Sequence, residues 1–95
     1  MRKVLIIGLR GEQMSRTKRE FGREFDLDFV DSEKTESPAT VGAAAKYAEV
    51  VIAMTKFISH PALKVIRNHS GYMPVYGAVT KVREALHQLN QGVAV

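Results

Sequence analysis

The stretch Lys3-Val4-Leu5-Ile6-Ile7-Gly8, near the start of the chain, is the strongest indication of the class of fold. Its apolar residues follow one another without alternation, and a glycine ends the run. A strand that is apolar on both sides is typical of a parallel sheet covered on both faces. A second, largely apolar run, Glu49 to Met54, predicts another buried strand. The two runs therefore favour a parallel sheet between two layers of helices.

The segment between these runs predicts a helix, a strand and a loop. Residues 13–25 lack proline and carry good helix formers, with Met14, Phe21 and Phe25 spaced along one helical stripe. Apolar and acidic residues alternate over 26–31, which predicts a half-exposed second strand. The polar residues 31–37 then predict a loop.

Helix-start signals recur in the rest of the chain. Ser37 before Pro38 predicts an N-cap and a helix that runs to about residue 47. Ser59-His60-Pro61 predicts another helix, through about residue 68. Residues 73–76 predict a short fourth strand, and Thr80 is expected to cap the last helix. An apolar tail, Val93-Ala94-Val95, follows Gly92.

The element order is therefore β-α-β-α-β-α-β-α, and strict alternation with short links demands parallel strands. We expect one α/β domain over residues 1–95. Its predicted sheet has four parallel strands in the order 2-1-3-4, with helices on both faces. This is a Rossmann-like or flavodoxin-like arrangement.

The composition excludes several classes of protein. The 95 residues include no cysteine, which rules out disulfides, zinc–thiolate sites, iron–sulfur clusters and thiol catalysis. No apolar run approaches the roughly 18 residues of a membrane span, and the first apolar run is too short for a signal peptide. We therefore expect a cytoplasmic protein without a membrane partner. The net charge of +4 favours nucleic acid only where the cations cluster.

Ligands of open parallel sheets bind beyond the carboxyl ends of the strands, where the strand order reverses. In the order 2-1-3-4 that place lies between strands 1 and 3. The candidate ligand-binding residues are those of the two loops that meet there: Gly8, Arg10, Gly11, Met54, Thr55, Lys56, Phe57, Ser59 and His60. Arginine and lysine in these loops favour a small anionic ligand, with the backbone at the two glycines open to close approach.

The first loop, Gly8-x-x-Gly11, is neither a dinucleotide fingerprint nor a Walker A motif, but it can direct helix N–H groups at an anion. Asp31 follows Gly11 by twenty residues, where dinucleotide-binding folds keep an acid that binds ribose. A nucleotide-binding regulatory module is therefore one alternative. The other interpretation of these residues is a turn glycine and a solvated aspartate.

His60 is the candidate metal-binding residue. No second histidine or carboxylate lies at metal-ligand spacing, which argues against zinc or non-haem iron. Haem needs only one protein ligand, and nearby cations suit its propionates. The most specific prediction is therefore haem with His60 as axial ligand, in a protein that senses or carries a gas or redox signal. A structural histidine is the alternative, since Ser59 or His60 must cap the helix.

Catalysis has little support in the sequence. Ser59 and His60 are adjacent, so their side chains diverge, and the GxSxG nucleophile elbow is absent. Two further alternatives stay open. Arg16, Arg19 and Arg23 share one helical face that could bind nucleic acid, although glutamates are interleaved with them. The other alternative is a homodimer, formed through the apolar tail or an exposed sheet edge or by a domain swap.

The stretch from Ala48 to His60, with Met73-Pro74-Val75-Tyr76 and Val82-Arg83-Glu84-Ala85-Leu86, resembles the bacterial family known as domain of unknown function 2325. Its members typically read D-x-V-x-x-x-T-D-F-x-S-H in the third strand and turn. The resemblance spans the chain and implies the same α/β fold. It marks Thr55, Phe57, Ser59 and His60 as the family's recurring turn. Lys56 replaces the family's aspartate, which favours an anionic ligand.

Overall fold

The computed structural model describes residues 1–34 and 37–91, which form four strands and four helices in strict alternation. Two short 3-10 turns, Ser32–Lys34 and Thr55–Phe57, follow the second and third strands. In chain order the elements are β1 (Arg2–Ile7), α1 (Gly11–Phe21), β2 (Phe25–Val30), α2 (Pro38–Ala45), β3 (Val50–Met54), α3 (His60–Ile66), β4 (Tyr72–Val75) and α4 (Val79–Asn90).

The sheet is parallel and ordered β2-β1-β3-β4, which confirms the predicted fold. β1 lies at the centre, and its residue Ile7 is in register with Val30 of β2 and Ala53 of β3. The strand order therefore reverses between β1 and β3, as the sequence predicts. β2 and β4 form the two edges of the sheet.

The alternating directions of the strand side chains create two separate hydrophobic cores. Val4 and Ile6 face α1 and α4, whereas Leu5 and Ile7 face α2 and α3. All four side chains are completely buried. This burial on both faces explains why the β1 sequence is continuously apolar rather than alternating.

Two expectations about element ends are wrong. Phe25 opens β2 instead of continuing the stripe of α1, which ends at Phe21. Arg23 likewise lies in the turn after α1, so it does not share a helical face with Arg16 and Arg19 as predicted. Gly22 is the C-cap of the helix, and its backbone N–H donates to the Lys18 carbonyl at 2.8 Å; a side chain at this position would collide with that oxygen. Thr80 does not cap α4, since the helix begins one residue earlier and Ala78 holds the N-cap position.

Ser37 caps α2, its hydroxyl accepting the Thr40 N–H at 3.3 Å. Within the described residues, no helix has the length and apolar character needed to cross a membrane. The apolar tail Val93–Val95 and part of the predicted loop 31–37 lie outside the described residues.

Candidate functional site

The two loops predicted to form the site meet at the carboxyl edge of the sheet. Gly8 has φ of +112°, and a Cβ placed on it would lie 2.8 Å from the Cβ of Met54. Real Cβ atoms do not approach so closely, so only glycine allows the β1–α1 loop to pack on the end of β3. Because Met54 is almost completely buried, it lies beneath this edge of the sheet rather than on its surface.

Arg10 connects the first loop to the segment after β2. Its backbone N–H donates to the side-chain oxygen Oε1 of Gln13 at 3.1 Å, which caps the start of α1. Its side-chain Nε donates to the hydroxyl of Ser32 at 2.9 Å. A second link joins the backbones, where the Ser32 N–H donates to the Leu9 carbonyl at 2.9 Å. The guanidinium is thereby held over the ends of β1 and β2 while remaining exposed.

The start of α1 presents backbone donors at this edge. The first-turn N–H groups of a helix have no intrahelical acceptor, and here they include those of Gly11 and Glu12. Gly11 has no heavy atom within 4 Å of the position where its Cβ would be, so its surroundings are open. These donors are compatible with an anion placed beside Arg10.

In the second loop, Thr55–Phe57 forms a 3-10 turn directly after β3. Lys56 is exposed on this turn, and Phe57 has 40% of its surface accessible. Ser59 is the N-cap of α3, with its hydroxyl accepting the Ala62 N–H at 3.4 Å. The capping requirement is therefore met by Ser59, and His60 is an exposed first residue of the helix.

Arg10 and Lys56 are not neutralised by carboxylates within the described ranges. Neither cation forms an ion pair there, although Glu12, Asp31 and Glu33 lie at the same end of the sheet. Asp31 is engaged locally, since its Oδ1 accepts the Glu33 N–H at 2.8 Å. The acids after β2 and the lysine after β3 thus give the edge an acidic side and a basic side.

One groove extends from the acidic side of this edge. It follows the free edge of β2 between α1 and α2, has a volume of about 610 Å³, and includes Asp31, Ser15 and Lys18 in its lining. The sequence alone did not indicate this groove. The Arg10–Ser32 hydrogen bond was also missed, because its partners are 22 residues apart and no motif joins them.

A second groove, of about 870 Å³, follows the free edge of β4 beside α4, and its lining includes none of the predicted site residues. Tyr72 and Tyr76 line it. Burial raises the pKa of the Tyr72 hydroxyl, and the neighbouring Tyr76 adds to that rise, while the positive charge of Arg67 opposes it. Nothing in this groove bears on the anion-binding prediction.

Metal-ligating side chains do not cluster in residues 1–34 and 37–91. No group of three or more histidine, cysteine, aspartate or glutamate side chains there is arranged to hold a metal ion. His60 is exposed at the start of α3, a helix that follows the turn carrying Lys56 and Phe57.

The fold and the site together define a four-stranded, flavodoxin-like α/β domain with exposed cations and glycines at its topological switch point. No family model, curated protein or solved structure matches this chain. The resemblance to domain of unknown function 2325 stays a prediction, as does the homodimer.

Proposed function

We propose that this protein binds a small phosphate-bearing ligand, without catalysis, at the carboxyl ends of β1 and β3. The observation that supports the proposal is a pair of exposed cations, Arg10 and Lys56, that form no ion pair with a described residue. Arg10 lies on the β1–α1 loop, which packs on Met54 at the end of β3, and Lys56 lies on the turn that follows Met54. Phosphate oxygens would accept hydrogen bonds from these cations and from the first-turn N–H groups of α1.

A nucleotide is the ligand class that the surroundings support best. Asp31 lies at the end of β2, next to the loop that carries Arg10, and a carboxylate there is suited to the hydroxyls of a ribose. The groove along the β2 edge offers space for a nucleoside beside Asp31. In this arrangement the phosphates would lie between Arg10 and Lys56, and the nucleoside would lie along the β2 edge beside Asp31.

The proposal is tested by calorimetric titration with ADP and with inorganic pyrophosphate. We expect both to bind, and we expect the double variant Arg10→Ala/Lys56→Ala to lose about tenfold or more in affinity for each, since hydrogen bonds to charged groups are worth about 1.5–3 kcal/mol. Arg2→Ala/Lys3→Ala removes the same charge at the other end of the sheet and is the matched control.

The variant Asp31→Asn distinguishes binding of the nucleoside from binding of the phosphates. The amide keeps an oxygen for the Glu33 N–H, so the loop should hold its shape. We expect weaker binding of ADP and unchanged binding of pyrophosphate. Absence of binding to both probes, or an equal loss in the Arg2/Lys3 control, would overturn the proposal.

The prediction that His60 ligates haem can be tested separately. His60 is exposed at the start of α3. Haem ligated by His60 would give an absorption band near about 400 nm that shifts or disappears in His60→Ala. A spectrum that haem titration leaves unchanged would discard haem and leave the phosphate proposal standing.

A further inference from the structure

The acidic residues of this protein are distributed unevenly over its surface. Between Ser37 and Arg83 the sequence contains a single acid, Glu49, against six lysines and arginines. Glu49 lies just before β3 and pairs with Arg2, its Oε2 being 3.8 Å from the arginine Nε. The helices α2 and α3, which together cover one face of the sheet, therefore contain no acid at all.

Cations line the outer side of α3. Lys64 of α3 and Arg67, the C-cap of this helix, are three residues apart, which places them on one side of the helix, and both are exposed. The opposite side of α3 is buried through Ala62 and Ile66. The row of positive groups thus points away from the core.

Helix α2 lies against α3 and adds a cation with an aromatic ring. A Cβ on Gly42 would lie 2.8 Å from Cγ1 of Val65, so the absence of a side chain at Gly42 permits the close contact between the helices. At the end of α2, the Lys46 ammonium lies 5.6 Å from the centre of the Tyr47 ring. Tyr47 is 71% exposed and Val65 is 48% exposed. We call the exposed surface of these helices, with Lys46, Tyr47, Lys64, Val65 and Arg67, the α2–α3 face.

The opposite helical layer has a different charge pattern. Glutamates are interleaved with the arginines of α1, and Glu20 accepts hydrogen bonds from Arg83 of α4, the shorter at 2.7 Å. Arg83 is therefore neutralised within that layer, and glutamates lie among the cations of α1, which form no ion pair with a described residue themselves. Lys46, Lys64 and Arg67 also form no ion pair with a described residue, but here no acid lies on either helix.

We infer that the α2–α3 face binds single-stranded nucleic acid. Lys46, Lys64 and Arg67 would contact the phosphate backbone, and the exposed ring of Tyr47 would stack on an unpaired base. An exposed aromatic ring favours a single strand over a duplex, because bases inside a duplex are already stacked on one another. This inference goes beyond the proposed ligand site and uses none of its residues.

The test measures fluorescence anisotropy of a labelled oligouridylate of about 16 nucleotides, at salt concentrations from about 50 to 200 mM. We expect binding that weakens with salt. Lys46→Glu/Lys64→Glu/Arg67→Glu should reduce affinity at least about tenfold at low salt, and Lys46→Ala/Lys64→Ala/Arg67→Ala should lower the slope of log K against log salt by about 2. Tyr47→Ala should weaken binding about fivefold without changing that slope.

The matched control is Arg16→Glu/Arg19→Glu/Arg23→Glu, which changes the net charge equally on the other helical layer. We expect this variant to retain most of the affinity. A larger loss in the control than in the α2–α3 variant would overturn the inference and assign binding to α1. Absence of oligouridylate binding, or binding only to phosphatidylserine vesicles, would also overturn it. Pyrophosphate affinity in the α2–α3 variants should stay unchanged, which separates this test from that of the phosphate site.

Discussion

Arg2 and Lys3, at the amino end of the parallel sheet, are paired with carboxylates, whereas Arg10 and Lys56, at the carboxyl end, form no ion pair with a described residue. At the amino end, Arg2 lies 3.8 Å from a carboxylate oxygen of Glu49, and Lys3 lies 3.9 Å from one of Asp28. At the carboxyl end, Arg10 donates to the neutral hydroxyl of Ser32, and Lys56 has no ion pair with a described residue. Cations without an ion pair, next to backbone N–H groups that have no acceptor, can bind an anionic ligand. The same residue types are therefore paired with carboxylates at one end and without an ion pair among the described residues at the other.

Gly71→Ala, at the amino end of the sheet, should cause the largest loss of folding stability. A Cβ on Gly71 would collide with the carbonyl oxygen of Glu49, which belongs to the backbone and cannot rotate away. We expect Gly71→Ala to lower the free energy of unfolding by about 3 kcal/mol or more, measured by urea denaturation. A loss below about 1 kcal/mol would show that β3 and the start of β4 are packed less tightly than described.

The corresponding substitution at the carboxyl end is Gly8→Ala. It combines a positive φ with the close contact to Met54, and we expect it to cost about 2 kcal/mol in the free energy of unfolding. Unlike Gly71→Ala, it should also weaken pyrophosphate binding, because the loop that carries Arg10 must move. Equal effects of both substitutions on affinity would remove the functional difference between the two ends.

Removing the cations at each end of the sheet should change stability less than the two glycine substitutions do. Arg2→Ala/Lys3→Ala breaks two exposed ion pairs, each worth about 0–1 kcal/mol, and its cost should shrink at high salt. Arg10→Ala/Lys56→Ala breaks no ion pair with a described residue, so it should change the free energy of unfolding by no more than about 0.5 kcal/mol. Denaturation in low and high salt measures both. A large, salt-dependent loss in the Arg10/Lys56 variant would contradict the assignment of these cations to a ligand.

Ser32→Ala tests whether the orientation of Arg10 contributes to binding. The hydroxyl accepts a hydrogen bond from the guanidinium, so its loss frees the side chain to adopt other rotamers. We expect the affinity for pyrophosphate to fall about threefold. Ser70→Ala, an exposed serine at the amino end, is the control and should leave the affinity unchanged.

The smallest expected effect concerns alkaline pH. The pKa of Tyr72 is raised in the folded protein, mainly by burial, so the folded state favours the protonated hydroxyl. The unfolded chain therefore ionises first as the pH rises through its ordinary value of 10.0, and this contribution to stability is lost above that pH. Tyr72→Phe should show a shallower loss of stability in this range. An unchanged pH profile would show that Tyr72 makes no contribution.

Much of the fold was predictable because its strongest signals are local. The apolar runs of β1 and β3 required burial on both faces, and Ser37 and Ser59 cap helices as their sequence context predicts. Phe25 was misassigned because its spacing from Phe21 also fits a helix, whereas α1 ends at Phe21 with Gly22 as its C-cap.

The candidate site was predictable only in outline. The rule for parallel sheets places Gly8 and Met54 at the same edge, and their contact agrees with it. The partner of Arg10 was not predictable, because Ser32 reaches it only through the packing of β2 on β1. The absence of acids in α2 and α3 was visible in the sequence, but its meaning depends on both helices covering the same face of the sheet.

The central claim is that the carboxyl end of the sheet binds a phosphate-bearing ligand. Its most direct test is an NMR titration of the isotope-labelled protein with inorganic pyrophosphate. We predict saturable shifts of the amide signals of residues 8–12 and 55–60, with little change at Arg2, Lys3 and Glu49. Shifts confined to the amino end or to the α2–α3 face, or the absence of saturable shifts, would contradict the claim.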